Sequence, residues 1–132
     1  MAFAHLHVHT EYSLLDGSNK IREYVARVKE LGMDSAAITD HGVMYGVIDF
    51  YRAAREAGIK PILGCEVYVA PNSRFDKELT GGEERYHHLV LLAENNTGYA
   101  NLMKIVSRGF TEGYYYKPVS YTHLTLPTNR EV

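Results

Sequence analysis

The sequence predicts an α/β fold in which parallel strands alternate with helices. Short apolar runs show the two-residue alternation of strands, and the segments between them carry apolar residues at helical spacing. Strand–helix alternation with short connections is typical of a parallel sheet. The length of 132 residues corresponds to about one domain. These patterns leave open whether the sheet is open or closes into a barrel.

The first strand–helix unit is predicted over residues 3–32. Phe3 to His9 is interpreted as the first strand, and Ser18 is placed as the N-cap of the helix that follows. Gly32 is expected to end this helix. Its apolar positions fall at helical spacing: Ile21, Tyr24, Val25, Val28 and Leu31.

The strand–helix unit then repeats. Residues 35–39 are predicted to form a short buried strand, and a second helix is expected to close at Gly58. Pro61 opens a third strand, predicted over residues 62–69. The apolar positions of the second helix are Val47, Phe50, Tyr51, Ala54 and Ala57.

The last predicted unit follows a polar stretch. Residues 72–84 are expected to form a surface excursion, and residues 86–93 a fourth strand. Thr97 is placed as the N-cap of a third helix that ends near Gly109. Its apolar side is predicted to carry Tyr99, Leu102, Met103 and Val106.

Composition indicates a globular protein and limits its partners. Hydrophobic residues make up 45% and charged residues 23%, which argues against disorder. A net charge of -2 gives no general attraction to polyanions, so any contact with nucleic acid must be local. The single cysteine, Cys65, excludes an internal disulfide and fits a reducing compartment. Since no apolar run approaches the ~20 residues that span a bilayer, we expect a cytoplasmic protein.

A row of histidines marks the first strand as a candidate metal site. Successive side chains of a strand point to opposite faces, so His5, His7 and His9 would share one face, and Leu6 and Val8 the other, towards the helices. Imidazole is a common ligand of zinc, iron and similar divalent metals. The carboxylate of Asp16, beyond a short turn, could fold back over the same site.

Further candidate ligands lie in or directly after later strands. In parallel α/β folds, functional residues lie at the carboxyl ends of the strands. Asp40 and His41 come directly after the second strand, and Asp40 is interpreted either as a partner of a ligand histidine or as a helix N-cap. Glu66 lies in an apolar strand, where an unpaired carboxylate is costly, so a metal or an ion pair should meet it. His87 and His88 are neighbours, so only one of them can face the interior.

Several local motifs occur in an order that resembles the polymerase-and-histidinol-phosphatase (PHP) family. They are His7-Val8-His9, Asp16-Gly17, Thr39-Asp40-His41-Gly42, Gly64-Cys65-Glu66 and His88-Leu89. Four longer strings, over residues 12–17, 46–51, 66–70 and 96–102, are similar to PHP domains at the amino terminus of bacterial replicative DNA polymerases rather than to small phosphatases. The match covers roughly residues 2–118.

The resemblance implies the first half of a distorted, TIM-barrel-like β/α barrel with a multinuclear centre at its carboxyl rim. The ions would be divalent: zinc, manganese or iron. At the matching positions, the implied metal ligands are His7, His9, Asp16, His41, Glu66 and His88.

The resemblance also implies phosphoester hydrolysis. In polymerases that keep the ligand set, such a site is associated with 3′-to-5′ exonuclease proofreading, and the partners are DNA and other replisome subunits. Two alternatives stay open: a noncatalytic PHP module that stabilises the polymerase, and a phosphomonoesterase similar to histidinol phosphatase.

Residues 1–118 are expected to be a partial PHP domain. The family's later ligands, a histidine or cysteine and an Asp-x-His, have no match after His88. We therefore expect the chain alone to bind metal weakly, to show little nuclease activity and to self-associate. Residues 119–132 show no strand or helix periodicity from Ser120 onward and are expected to be a non-native tail, so His123 is left out of the site.

Overall fold

The computed structural model describes residues 3–14, 16–70, 73, 75, 86–115 and 117–121. These residues form three helices and five strands. In chain order they are α1 (Ile21–Glu30), β1 (Ser35–Ile38), α2 (Val47–Ala57), β2 (Lys60–Val69), β3 (His87–Leu92), α3 (Asn96–Thr111), β4 (Tyr114–Tyr115) and β5 (Lys117–Tyr121).

Strand β2 is the centre of the sheet. It pairs in parallel with β1, from Ser35 opposite Lys60 to Ile38 opposite Leu63, and in parallel with β5 near its own carboxyl end. Strand β4 pairs antiparallel with β5. The α/β arrangement with parallel pairing follows the prediction, and β2 supplies the frame on which the other strands are aligned.

Strand β3 differs from the prediction, because it runs antiparallel to β2, with Gly64 opposite Leu92 and Val69 opposite His87. A parallel return needs a crossover, usually a helix, whereas strands joined directly return antiparallel. The described residues between β2 and β3 contain no helix. Of the excursion predicted over residues 72–84, only Ser73 and Phe75 lie within the described residues.

The predicted first strand, residues 3–9, is an extended segment rather than a regular strand. It lies beside β1, where the Ala37 and Thr39 amides donate to the carbonyls of His5 and Val8 at 3.0 and 2.8 Å. The Val8 amide donates to Thr39 Oγ1 at 2.8 Å instead of to a backbone carbonyl, which interrupts the ladder. Leu6, expected to face the helices, is 47% exposed.

The two predicted serine and threonine N-caps are wrong. Helix α1 begins after Lys20, and the Glu11 carboxylate accepts from the Ile21 amide at 3.3 Å. Helix α3 begins after Asn95, whose Oδ1 accepts from the Gly98 amide at 3.0 Å. The residues that accept from the first amides of the two helices, Glu11 and Asn95, are not part of the apolar repeats. The repeats alone therefore could not locate the start of either helix.

The predicted glycine at the end of α2 is confirmed. Gly58 adopts φ 74°, the left-handed region that favours glycine. Its amide donates to the Arg55 carbonyl at 3.2 Å, and the Ile59 amide donates to the Ala54 carbonyl at 2.8 Å. This is the Schellman pattern, which satisfies the last carbonyls of the helix and turns the chain into β2.

Two apolar clusters hold the helices to the sheet. The first joins α1 and α2 to β1, and the second joins α3 to β2. The first cluster contains Ile21, Val25, Val28, Ala36, Ile38, Val47, Phe50, Ala54 and Ile59; the second contains Cys65, Val67, Leu102, Ile105 and Val106. Within the described residues, the helices are too short or too polar to cross a lipid bilayer.

The predicted domain boundary between residues 118 and 119 falls inside β5, which continues to Tyr121. Regular structure therefore extends to Ser120 and Tyr121, where no periodicity was predicted. Residues 122–132, with His123, lie outside the described part of the chain, so the assignment of a non-native tail stays a prediction.

The cap correction is testable with one matched pair of variants. Asn95→Ala should lower the free energy of unfolding by about 1 kcal/mol, because the Gly98 amide loses its acceptor. Thr97→Ala, two residues away on the exposed surface, should change it by less than about 0.5 kcal/mol. Urea unfolding measures both, and a larger loss for Thr97→Ala would restore Thr97 as the cap.

Candidate metal centre

The candidate centre is built around Glu66 in β2. The alternation of the strand directs Cys65 and Val67 into the cluster under α3, so Glu66 points to the opposite face. Its side chain is 2% exposed. A buried carboxylate is costly unless polar groups or cations meet it, and four histidines from three segments of the chain do so.

One carboxylate oxygen of Glu66 meets the histidines of the amino-terminal segment. His7 Nε2 contacts Oε2, and His9 Nε2 lies 3.3 Å from the same oxygen. The two imidazoles are edge to face, with centroids 4.9 Å apart. His5 belongs to neither group of potential ligands; its ring packs against Phe3 instead. The predicted alternation thus brings His7 and His9, without His5, to one oxygen.

The other carboxylate oxygen meets a second pair of histidines. His41 Nδ1 lies 3.0 Å from Glu66 Oε1, and His88 Nδ1 contacts the same oxygen. His88 stands opposite Tyr68 in the β2–β3 ladder, on the face that Glu66 occupies. Its neighbour His87 falls on the other face of β3, as the alternation predicts.

Asp16 joins the centre through His41. Asp16 Oδ2 lies 2.7 Å from His41 Nε2, although the Asp16 side chain is 68% exposed. The turn that presents it is tight: a Cβ atom on Gly17 would lie 1.8 Å from the Thr10 carbonyl oxygen. A glycine is therefore required directly after Asp16.

Asp40 contacts none of these rings, and its predicted role as a helix cap is wrong because α2 begins after Gly46. Its carboxylate is 1% exposed. Oδ1 accepts from the Thr10 amide at 2.5 Å and from Ser13 Oγ at 2.8 Å, and Oδ2 accepts from Thr10 Oγ1 at 2.8 Å. Asp40 therefore supports the turn between His9 and Asp16.

Three buried atoms of the centre lack a hydrogen-bond partner within the described structure: His9 Nδ1, His41 Nδ1 and Glu66 Oε1. The approach of His41 to Glu66 is close but does not have hydrogen-bond geometry. Leaving buried polar atoms unpaired is costly. For His41 Nδ1 and Glu66 Oε1, which belong to the same group of potential ligands, a shared cation would remove that cost. Imidazole nitrogens and carboxylate oxygens are the donors that zinc, manganese and iron accept.

The donors form two groups that share Glu66. His7, His9 and Glu66 make one, and His41, Glu66 and His88 make the other; in each group the ligand atoms lie within 4.8 Å of one another. The residues present thus fit two divalent ions joined by one carboxylate. Five of the six predicted ligands belong to these two groups. The sixth, Asp16, lies beside them and contacts His41.

Electrostatics favours the ligand forms of both buried groups. Burial, followed by the neighbouring His41, lowers the pKa of His9 and so favours the neutral imidazole that binds metal. For Glu66, burial alone would raise the pKa. The hydrogen bond from His7 and the charges of His41, His88 and His9 outweigh burial, and the pKa of Glu66 is lowered. Glu66 thus stays ionised at neutral pH.

Aromatic contacts fix the ring positions, and sequence reasoning did not find them. His9 and His41 stack with centroids 3.8 Å apart. Tyr86 stacks on His88 at 5.9 Å, and Tyr68 meets the His88 ring edge-on at 5.0 Å. The spacing of Tyr86, which directly precedes β3, and His88, two residues later, was the one signal in the sequence that could have indicated the stack.

Comparison with known proteins places the chain among domains of one family. Residues 5–129 match the PHP domain family. The chain is 51% identical over 118 residues to DNA polymerase III subunit alpha of Treponema pallidum, and 48% identical over 118 residues to that of Chlamydia pneumoniae. Each match covers 89% of this chain and 10% of the relative. The chain thus spans about a tenth of the length of these relatives.

Solved structures share the fold at lower identity. A protein from Bifidobacterium adolescentis, named for metal-dependent phosphoesterase activity, superposes with a TM-score of 0.54 at 22% identity, over 83% of this chain and 35% of that chain. An amidohydrolase from Chromobacterium violaceum gives 0.52 at 24% identity, over 80% and 33%. The predicted fold class is confirmed: the chain corresponds to part of a TIM-barrel-like α/β fold.

The two faces of the strands provide a matched test of the centre. His7→Ala should weaken Mn²⁺ binding by more than about 100-fold, beyond the 10–100-fold typical of losing a residue that only supports a ligand. His87→Ala, on the other face of β3, should leave it unchanged. Isothermal titration with Mn²⁺ measures both, and equal losses would contradict the geometry.

Proposed function

Since the chain belongs to the PHP domain family, we propose that it is the amino-terminal part of a DNA polymerase III subunit alpha and carries a metal-dependent phosphoesterase site. The reaction we propose is removal of nucleotides from a DNA 3′ end, the exonuclease chemistry of proofreading. The identity to curated subunits over 89% of the chain supports the polymerase assignment.

One observation carries the proposed chemistry: the two oxygens of buried Glu66 each meet a pair of imidazoles. A carboxylate in this position can bridge two ions. Paired divalent ions clamp the attacking and leaving oxygens of a phosphoryl centre in many phosphatases and nucleases. The arrangement therefore favours phosphoester hydrolysis over chemistry that needs a Ser or Cys nucleophile.

We assign the predicted residues as the metal ligands. His7 and His9 would hold one ion with Glu66, His41 and His88 a second with Glu66, and Asp16 would complete the site beside His41. When bound, zinc, manganese or iron would lower the pKa of a bound water and neutralise charge on the phosphate.

The chain's own residues determine how a substrate enters. His7 and His88 are 55% and 46% exposed, and Asp16 is more exposed still, so one side of the centre faces solvent. A phosphodiester can approach from that side while Glu66 stays buried beneath. The His9 ring, stacked on His41, keeps its place without a charge of its own.

The partners follow from the polymerase assignment. We propose that DNA and other replisome subunits contact the full polypeptide. A net charge of -2 offers no general attraction for DNA, so these contacts would depend on local features of the site and on the rest of the subunit.

A bridging Glu66 makes a stoichiometric prediction. Glu66→Gln should reduce the number of Mn²⁺ ions bound from two to at most one weakly held ion, because a neutral amide cannot offer an anionic oxygen to each pair of histidines. His9→Ala should lose one ion and keep the other. Mn²⁺ electron paramagnetic resonance counts the ions, and two tightly bound ions in Glu66→Gln would exclude the bridge.

The activity can be tested by transplanting the chain. Residues 1–118 would replace the matching segment of the Treponema pallidum subunit, and digestion of 5′-labelled single-stranded DNA would be measured with Mn²⁺ and with a chelator. We expect chelator-sensitive shortening from the 3′ end that His9→Ala reduces by at least 100-fold, with His87→Ala as the control.

Other outcomes of the same assay identify the alternatives. Polymerase activity that is retained without any nuclease activity would indicate a noncatalytic module. Hydrolysis of a phosphomonoester, with DNA left intact, would indicate a site of the histidinol phosphatase type.

A further inference from the structure

A buried carboxylate lies behind the candidate centre and connects its segments. Asp40 directly precedes His41, and its side chain bonds only to groups of Thr10 and Ser13 in the hydrogen bonds seen for it. Thr10 directly follows His9. The Asp40 carbonyl accepts from the Glu66 amide at 3.0 Å. Three ligand-bearing segments therefore meet at this one residue.

The turn that carries Asp16 is organised from the same point. The Ser13 amide donates to the Thr10 carbonyl at 2.9 Å, and the Ser13 carbonyl accepts from the Asp16 and Gly17 amides at 3.0 and 2.7 Å. Ser13 Oγ donates to Asp40 and accepts from the His41 amide at 3.1 Å. Asp40 is thus connected to Asp16 by the hydrogen bonds of the turn and to the His41 amide through the Ser13 hydroxyl.

We propose that Asp40 is a positioning residue, whose buried carboxylate locks the turn of residues 10–17 against the segment of His41 so that Asp16 and His41 meet at the centre. It binds no ion. Oδ1 already accepts two hydrogen bonds and Oδ2 one, and Asp40 belongs to neither of the two ligand groups found in the described residues.

An anion is needed for this role rather than a neutral acceptor. Hydrogen bonds to an ionised carboxylate are roughly twice as strong as those between neutral groups. An amide at this position would keep one oxygen for Thr10 and Ser13, but it would place N–H donors where the Thr10 hydroxyl now donates. The fold would persist, since the apolar clusters are untouched, while the turn would loosen.

The inference rests on the metal centre proposed above, but its first test needs no metal. In a chelator, Asp40→Asn should make the backbone amides of Thr10 and His41 exchange with solvent about tenfold faster. The Ala37 amide, which donates to His5 at the far end of the same segment, should be unchanged. Unchanged exchange at Thr10 and His41 would overturn the proposal, whether or not the centre binds metal.

The second test measures Mn²⁺ affinity by isothermal titration. Asp40→Asn should lower it by 10–100-fold, the range typical of residues that orient metal ligands. Asp34→Asn is the matched control, because it removes the same charge from an exposed aspartate that directly precedes β1. Equal affinities in the two variants would overturn the role of Asp40.

Ser13→Ala separates positioning from direct ligation, and it also serves if Asp40→Asn fails to fold. If Asp40 acts through Ser13, the variant should lower Mn²⁺ affinity in the same direction and speed exchange at His41. If Asp40 were itself a ligand, affinity would stay at the parent value. A parent chain that binds no Mn²⁺ would instead count against the proposed function, and the exchange test would still decide the role of Asp40.

Discussion

The burial of Glu66 is the constraint on which the rest of the structure depends. Taking a carboxylate out of water costs several kcal/mol unless charged or hydrogen-bonding groups replace the lost hydration. Four imidazoles surround this carboxylate, and they come from segments far apart in the chain. Folding must therefore align the amino-terminal segment, the end of β1 and strand β3 with the position of Glu66 in β2. A shift of one residue in the register of either strand would move its histidine away from Glu66.

The sheet meets that condition through β2. Its amino-terminal half pairs with β1 and its carboxyl-terminal half with β3, so each neighbour has a fixed register to Glu66. An isolated bridge between His41 and Glu66 extends the alignment beyond the end of β1. Apolar packing occupies the opposite side: Cys65 and Val67 lie under α3, and the cluster of α1 and α2 covers β1. Alternation along single strands thus separates a polar centre from an apolar core.

Strand alternation explains why much of this centre could be predicted. It paired His7 with His9 and separated His88 from His87, since each inference concerns neighbours on one strand. The direction of β3 and the cap at Asn95 could not be predicted in this way, because both depend on segments that meet only after folding. The contacts of Asp40 are of the same kind: its partners Thr10 and Ser13 are about 30 residues away in the chain.

Charge balance connects the proposed site to its substrate. If each pair of histidines holds one divalent ion, four positive charges meet three carboxylates, those of Asp16, Asp40 and Glu66, while the neutral imidazoles contribute none. One positive charge remains uncompensated in a partly buried site, where effective interactions between charges are stronger than in water. A phosphodiester carries one negative charge and would complete the balance. A phosphomonoester, with nearly two at neutral pH, would exceed it. Counted over the carboxylates of this chain alone, Asp40 thus supports the phosphodiester substrate proposed above over a terminal phosphate.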